Sequence, residues 1–260
     1  MTNDNGITYE MVFYDSGFFG YGPEGDFVQW SLAHFAPIAV TIVAIILTWR
    51  WRERIRAWKH EETARFWFVF VMIMVGMSYY WRLLYVGPQD VTSHTFMDCL
   101  PLQVCEWTLM ICSFMMLKKS PLLFDITYFL TMCFSLLPLV FPAVISNAGP
   151  TYYRYYQFWG VHLLPIYGMF YMMFVHKMRP HPRGIVWAMG MLLLLAIPAL
   201  YLNQAFEKAN YLYLKPSAYE MISFLPNNLF ALIALYLVVL PLIMGLDWLV
   251  WKFFFKKLVT

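Results

Sequence analysis

The sequence has little charge for its length. Only 13% of its 260 residues are charged and 61% are hydrophobic, whereas soluble proteins have about 25% charged residues. None of the intervals between its long apolar runs is long enough to form a soluble domain. These shortages exclude a soluble globular protein and predict a single domain, residues 1–260, built within a membrane.

Basic residues are missing from the first 28 positions, although five acidic residues occur there. A secretory signal peptide begins with a basic stretch, so residues 1–28 do not fit that pattern. The last apolar run also lacks a lysine between Glu220 and Trp251. Without that lysine the chain cannot form a retinal Schiff base there, which argues against a photoreceptor.

Cysteine is scarce and its spacing is not that of a metal site. The chain contains no CxxC pair. Each cysteine lies in or at the edge of an apolar run, so we expect no disulfide framework, no metal and no cofactor. The four residues are Cys99, Cys105, Cys112 and Cys133.

Seven apolar runs approach the roughly 20 residues that a membrane-spanning helix needs. They are continuously apolar, which predicts an all-α, polytopic protein with seven transmembrane helices. The spans are expected near residues 30–49, 66–86, 98–117, 121–142, 155–175, 185–204 and 221–246.

Basic residues gather after the odd-numbered spans, in residues 50–65, 118–119, 177–183 and 252–257. The positive-inside rule makes that side cytoplasmic. The sequence therefore predicts a multi-pass protein of the cell membrane with its N-terminal segment, residues 1–28, outside and its C-terminus inside. The net charge of +3 is explained by this topology, so we expect no nucleic-acid partner.

Two short motifs recur along the chain. A His-x-x-Pro motif occurs at His34 and again at His162, and Leu-Pro occurs at Leu100 and Leu225. Pro37 and Pro101 are 64 residues apart, and Pro165 and Pro226 are 61 apart. This spacing fits a 3+1+3 repeat of the kind found in transporters. Prolines near helix starts also have local causes, so coincidence stays an alternative.

Polar groups concentrate in the outer half of the predicted membrane layer. At about 1.5 Å per residue, Cys105 lies about 10 Å below the outer end of its span, and His162 lies at a similar depth. Pro101 is expected to kink the third helix and widen its mouth. Polar groups in a membrane favour a functional site, here a polar pocket that opens outward. Its other candidate residues are His34, Arg82, Asp98, Gln103, Glu106, Asn203 and Asn228.

Each of these side chains also has a structural interpretation. A single cysteine often only packs, and a membrane histidine often only bonds a neighbouring helix. Arg82 lies within reach of the outer interface. Glu106 is harder to explain in this way, because a carboxylate at that depth needs a partner such as Arg82 or must be neutral.

Three stretches resemble a known family. They are Leu100-Pro-Leu-Gln-Val-Cys105, His162 in the fifth span, and Asn210-Tyr-Leu-Tyr-Leu-Lys-Pro216. Together they are similar to the YwaF-like integral membrane proteins of bacteria, which are grouped with the animal transmembrane protein 164. The family pattern frequently has histidine two residues before the cysteine, where this chain has Gln103.

The resemblance implies a phospholipid acyltransferase that uses Cys105 as its nucleophile. Acyl transfer through a thioester needs a base and donors for the oxyanion. With Gln103 in place of histidine, the base would be His162 or His34. Gln103 or Asn228 would donate to the oxyanion, and Asn210 would be a supporting residue of the same site. The partners would be membrane lipids.

Two other functions remain open at this point. A small-solute transporter fits the 3+1+3 spacing, and a seven-helix sensor or receptor fits the span count and the outside N-terminus.

Overall fold

A computed structural model of the protein describes residues 17–19, 25–78, 100–142, 148–206, 210–214 and 234–259. Helices make up all of the regular structure within these ranges. In chain order the helices are α1 (Leu32–Ala57), α2 (Glu61–Met77), α3 (Val104–Lys118), α4 (Pro121–Leu130), α5 (Leu137–Val140), α6 (Tyr153–Val175), α7 (Gly184–Ala205), α8 (Leu240–Val250) and α9 (Lys256–Val259). Turns of π-helix lie at Thr131–Ser135, Leu235–Val239 and Trp251–Phe255, and 3-10 turns lie at Gly17–Phe19 and Tyr211–Tyr213.

Five helical stretches within the described ranges are long and apolar enough to cross a membrane. They correspond to the predicted first, fourth, fifth, sixth and seventh spans, so the prediction of a helical membrane protein is confirmed. The first and last helices run further than predicted, past residues 49 and 246, because they continue through basic and aromatic residues. The five stretches are Leu32–Ala57, Pro121–Val140, Tyr153–Val175, Gly184–Ala205 and Leu235–Leu258.

The second and third predicted spans are represented by shorter helices. Residues 79–86 of the second span lie outside the described ranges. The third helix, α3, has 15 residues and begins at Val104 instead of residue 98. Pro101 therefore precedes the helix, and the predicted kink is wrong. At about 1.5 Å per residue α3 is about 22 Å long, less than the roughly 30 Å of a hydrocarbon layer.

Helix α6 lies at the centre of the bundle and packs against α1, α2 and α3, while α4 packs between α3 and α7. Small residues bring these helices together, as is common in membranes. A Cβ added at Gly168 would lie 2.9 Å from the Cys112 sulfur on α3. One at Gly160 would lie 2.7 Å from Val75 Cγ1 on α2.

The start of α7 shows the same close packing against α4. A Cβ at Gly184 would lie 2.6 Å from Asp125 Cβ and 2.9 Å from the Phe129 ring. We expect Gly184→Ala to lower the free energy of unfolding by about 1–3 kcal/mol, because the helices would have to move apart. Thermal unfolding in detergent micelles measures this effect.

Gly190, in the same helix, supplies the matched control. No atom lies within 4 Å of a Cβ built there, so Gly190→Ala should stabilise the helix by about 0.5–1 kcal/mol. Equal melting temperatures for the two variants would contradict the close α4–α7 contact.

A buried ion pair joins three helices at the end of the bundle that carries the basic residues. Arg65 Nε lies 2.9 Å from Glu61 Oε1, and its Nη1 donates to the Met116 carbonyl of α3. The same Glu61 oxygen accepts from Tyr171 at 2.8 Å and from His176 Nε2 at 2.9 Å. The pair therefore holds the ends of α2, α3 and α6 together.

Burial and hydrogen bonding set the ionisation of Glu61 and His176. Burial lowers the pKa of His176 below its usual value, although Glu61 opposes the shift. Burial raises the pKa of Glu61, but its bonds from His176 and Tyr171 and the Arg65 charge outweigh that effect, and the pKa ends below its usual range. Both groups therefore bind protons less readily in the folded protein than in the unfolded chain.

Acidification should accordingly destabilise the protein. Because both folded pKa values are lowered, the stabilisation is complete above the unfolded values and is lost as pH falls. For His176 the loss begins near pH 6.5, and for Glu61 near pH 4.3. We expect the melting temperature in detergent to fall between pH 7 and pH 5. His176→Gln, which keeps a donor for Glu61, should remove most of that dependence, and an unchanged dependence in this variant would contradict the assignment.

Candidate functional site

The start of α3 carries the cysteine motif. Gln103 is the N-cap residue, and its side chain makes no capping hydrogen bond. The Gln103 backbone acts on Glu106, which lies three residues later, where a capping box places its glutamate. The Oε2 atom of Glu106 is buried and has no hydrogen-bond partner among the described residues.

Cys105 lies in the first turn of this helix, two residues after the N-cap. The first N–H of α3 with an acceptor in the helix is that of Trp107, which bonds Gln103. The N–H groups of the preceding residues are therefore not used by the helix's own hydrogen bonds. A helix start of this kind favours negative charge at its end, which opposes the cost that burial imposes on a thiolate at Cys105.

The Cys105 thiol is half-buried and donates to the Phe134 carbonyl at 3.8 Å. That carbonyl is available because Pro138, four residues later, has no N–H to complete the helical bond. The π-helical turn Thr131–Ser135 interrupts the same stretch, and π turns often mark functional positions. The fourth span thus presents a free carbonyl to the thiol.

The segment Asn210–Leu214 covers the start of α3. The Leu212 N–H donates to the Gln103 side-chain oxygen at 3.3 Å, and the Leu212 carbonyl accepts from Tyr236 at 2.6 Å. Leu212 has a φ of +56°, a conformation that is strained for a leucine. Asn210, which is half-buried, begins this segment.

Asn203 at the end of α7 fixes the same segment. Its side chain donates to the Tyr211 carbonyl at 3.0 Å and accepts from the Tyr211 N–H at 2.8 Å. Both ends of the amide are therefore used on the backbone. Asn203, which the sequence suggested as a pocket residue, acts on the site through the position of the covering segment.

His162 lies on α6 and is 8% exposed. Its Nδ1 lies 2.7 Å from the Phe158 carbonyl; because a carbonyl only accepts, Nδ1 carries the proton. In the neutral ring Nε2 then carries a lone pair, and no described residue donates to it. A ring held in one tautomer with the second nitrogen available is the arrangement that a general base needs.

Contacts between α3 and α6 show how far His162 and Cys105 lie from each other along the helix axes. Cys112 donates to the Pro165 carbonyl at 3.7 Å, and Gly168 faces both Cys112 and Met116. The helices therefore run in the same direction, and Cys105 lies about one turn, roughly 6 Å, from the level of His162. The two side chains, both within the described ranges, share no hydrogen bond.

His34 is the other predicted base, and both of its ring nitrogens are already bonded. Nδ1 accepts from the Trp30 N–H at 3.0 Å, and Nε2 donates to the Leu139 carbonyl at 2.6 Å. The ring is fully buried and stacks on Phe35. His34 therefore ties α1 to the end of α5 and is not available to take a proton.

Arg154 was not among the sequence candidates. It lies in the first turn of α6, bonds the Gln157 side chain and interacts electrostatically with both Glu106 and His162. In the sequence, Arg154 is one of the few basic residues on the predicted outer side, and that position could have marked it as a candidate. Three other candidates, Arg82, Asp98 and Asn228, lie outside the described residues.

These features define a helical membrane protein in which Cys105 lies at the start of a short helix. The segment Asn210–Leu214, which is held by hydrogen bonds, covers that start. A model of the TMEM164 family matches residues 29–250, which include Cys105, His162 and the segment Asn210–Leu214. The chain belongs to the TMEM164 family. No curated protein and no solved structure matches it.

Proposed function

We propose that this protein is a membrane acyltransferase that moves a phospholipid acyl chain through a thioester on Cys105. The observation that carries the proposal is the position of this thiol in the first turn of a helix, whose first N–H groups have no acceptor within the helix. The Cys105 sulfur attacks the acyl carbonyl, and the developing oxyanion takes hydrogen bonds from those N–H groups. The ester C–O bond then breaks, and the lysophospholipid leaves as an alcohol with the proton taken from the thiol. An acceptor hydroxyl next attacks the thioester, its proton passes through the same base to the sulfur, and the thiol is restored.

His162 is the proposed base. Burial disfavours a free thiolate, so the Cys105 proton must be taken up as the sulfur attacks. Nε2 of His162 has no hydrogen-bond partner among the described residues, and the Phe158 carbonyl holds the ring's tautomer. For this step the thiol leaves the Phe134 carbonyl and turns toward α6; catalytic hydrogen bonds often form only with substrate bound.

Glu106 and Arg154 are proposed to support this pair. A Glu106 carboxylate with one unbonded oxygen is costly unless a charge lies near it, and Arg154 is the cation that acts on it. Together with the Gln103 cap they keep the start of α3 fixed. Arg82, Asp98, Asn210 and Asn228 belong to the same proposed site.

The proposal can be tested by covalent capture. The purified protein in lipid nanodiscs is given a phospholipid whose acyl chain carries an alkyne, and tryptic peptides are examined by mass spectrometry. We expect a hydroxylamine-sensitive acyl adduct on Cys105. Acyl transfer without any adduct on Cys105 would rule out the thioester route, and solute uptake that survives Cys105→Ser would favour a transporter.

We propose a seven-span topology in the cell membrane, with the N-terminus outside and the C-terminus in the cytoplasm. The four basic clusters support it through the positive-inside rule. Tags at the N-terminus and within residues 205–218 should be labelled on intact cells, and tags within 178–184 only after permeabilisation. Labelling of both termini from the same side would mean an even number of spans and would reverse this topology.

A further inference from the structure

Three buried hydroxyl groups in the fourth span have no partner among the described residues. They belong to Thr127, Thr131 and Ser135, and each of these residues is 0% exposed. They are four residues apart, so they lie along one side of the helix, about 6 Å from one to the next. A buried hydroxyl without a hydrogen bond is costly, so a polar ligand beside the three hydroxyls would stabilise the protein.

Other buried hydroxyls in the bundle are bonded within their own helix. Thr108 donates to the Val104 carbonyl at 2.8 Å, and Ser113 donates to the Leu109 carbonyl at 2.9 Å. A helical Ser or Thr usually satisfies itself in this way. The three hydroxyls of the fourth span do not bond the carbonyls of their own helix, so they are available to a ligand in the interior.

Polar groups also stand at both ends of this line. Near its start, Tyr128 lies close enough to Asp247 of α8 to interact with it, and the Asp247 Oδ2 is buried and has no partner in the described ranges. At its other end, Ser135 follows Phe134, whose carbonyl accepts from Cys105. The π-helical turn between these ends packs against α3, α6 and α8, so the line lies inside the bundle.

We propose that these hydroxyls hold a file of buried water molecules that runs from Asp247 to the carbonyl beside Cys105. Water is the ligand that fits, because it both donates and accepts and each molecule needs two to four polar partners. Hydroxyls about 6 Å apart are bridged by one or two hydrogen-bonded waters. An apolar chain would satisfy neither the three Oγ atoms nor the carboxylate oxygen.

The file also matters for the chemistry, in a consequence that rests on the proposed function. A negatively charged sulfur is costly in apolar surroundings. Water beside the Phe134 carbonyl would place a polar medium next to Cys105 and lower that cost. A dry interior would leave the thiol dependent on His162 alone.

Radiolytic hydroxyl-radical labelling tests the file, because buried waters generate radicals beside the residues they touch. In the wild-type protein in detergent, we expect Tyr128, which is 3% exposed, to be labelled at least threefold faster than Met115 and Met169, which are 0% exposed in α3 and α6. Labelling of Tyr128 no faster than that of the two methionines would show a dry interior and overturn the proposal without any variant.

Matched double variants sharpen the test. Thr131→Val/Ser135→Ala removes two hydroxyls of the file, and Thr108→Val/Ser113→Ala removes two that bond their own helix. Only the first should reduce Tyr128 labelling, by at least threefold. Unchanged labelling together with a higher melting temperature in the first variant would mean unpartnered, dry hydroxyls. Stabilisation of the wild type by Na⁺ but not by choline would mean a cation in place of water, and would also overturn the proposal.

The outcomes for the file and for the enzyme are separable. Labelling reports water whether or not Cys105 reacts, and the acyl adduct reports the enzyme whether or not the interior is wet. Rapid Tyr128 labelling with no adduct would reject the acyltransferase and leave the file standing. An adduct with slow labelling would do the reverse.

Discussion

Cys105→Ala should abolish acyl transfer altogether. The proposed route breaks a lipid ester and forms a thioester on the Cys105 sulfur, and alanine has no atom that can take the acyl group. Cys105→Ser should be nearly as damaging, because a hydroxyl is a much weaker nucleophile than a thiol unless a strong base activates it. The measurement is transfer of a labelled acyl chain between phospholipids by protein reconstituted in nanodiscs.

Cys133→Ala serves as the matched control, since Cys133 lies on the neighbouring span and is, like Cys105, half-buried and free. It should keep most of the wild-type rate. The melting temperatures of both alanine variants should stay close to the wild-type value, because one sulfur contributes little packing. If Cys105→Ala transfers acyl chains normally, the cysteine is structural, and the transporter or sensor interpretation takes the lead.

His162→Ala should slow acyl transfer by about 10²–10⁴-fold, the usual contribution of a positioned general base. It should also flatten the acidic side of the pH–rate profile, because the base that becomes protonated there is gone. The midpoint of that side in the wild type reports the Cys105–His162 pair and not either group alone.

Two further variants separate a base from a structural histidine. His162→Gln keeps a donor for the Phe158 carbonyl but offers no base, so it should be as slow as His162→Ala. His34→Ala breaks two buried hydrogen bonds and should lower the melting temperature while the folded protein keeps most of its rate. A large rate loss for His34→Ala with normal rates for both His162 variants would contradict the assignment of the base.

The sequence alone determined the class of protein and several helix boundaries. Helices α6 and α7 begin and end within two residues of the spans predicted at 155–175 and 185–204. This succeeds because the free energy of placing a long apolar run in lipid depends on its length and composition, both of which are read directly from the chain. The motif around Cys105 likewise pointed to the family.

The start of α3 was decided by tertiary structure. Hydropathy does not distinguish a helical residue from an irregular one, so the apolar run from residue 98 was predicted as helix throughout. In the folded protein, irregular backbone before Val104 is held by a bond between Gln103 and Leu212, which are far apart in the chain. Irregular backbone at membrane depth is tolerated where protein covers it.

The roles of the two histidines were also decided by the fold. His34 and His162 occur in the same motif with proline three residues later, and the sequence offered both as a base. Their difference lies in what each ring nitrogen meets. Leu139 and Trp30 occupy both nitrogens of His34, whereas among the described residues a bond to Phe158 occupies only Nδ1 of His162. Residue type and depth follow from the sequence, but hydrogen-bond partners depend on how the helices face each other, and only packing sets that.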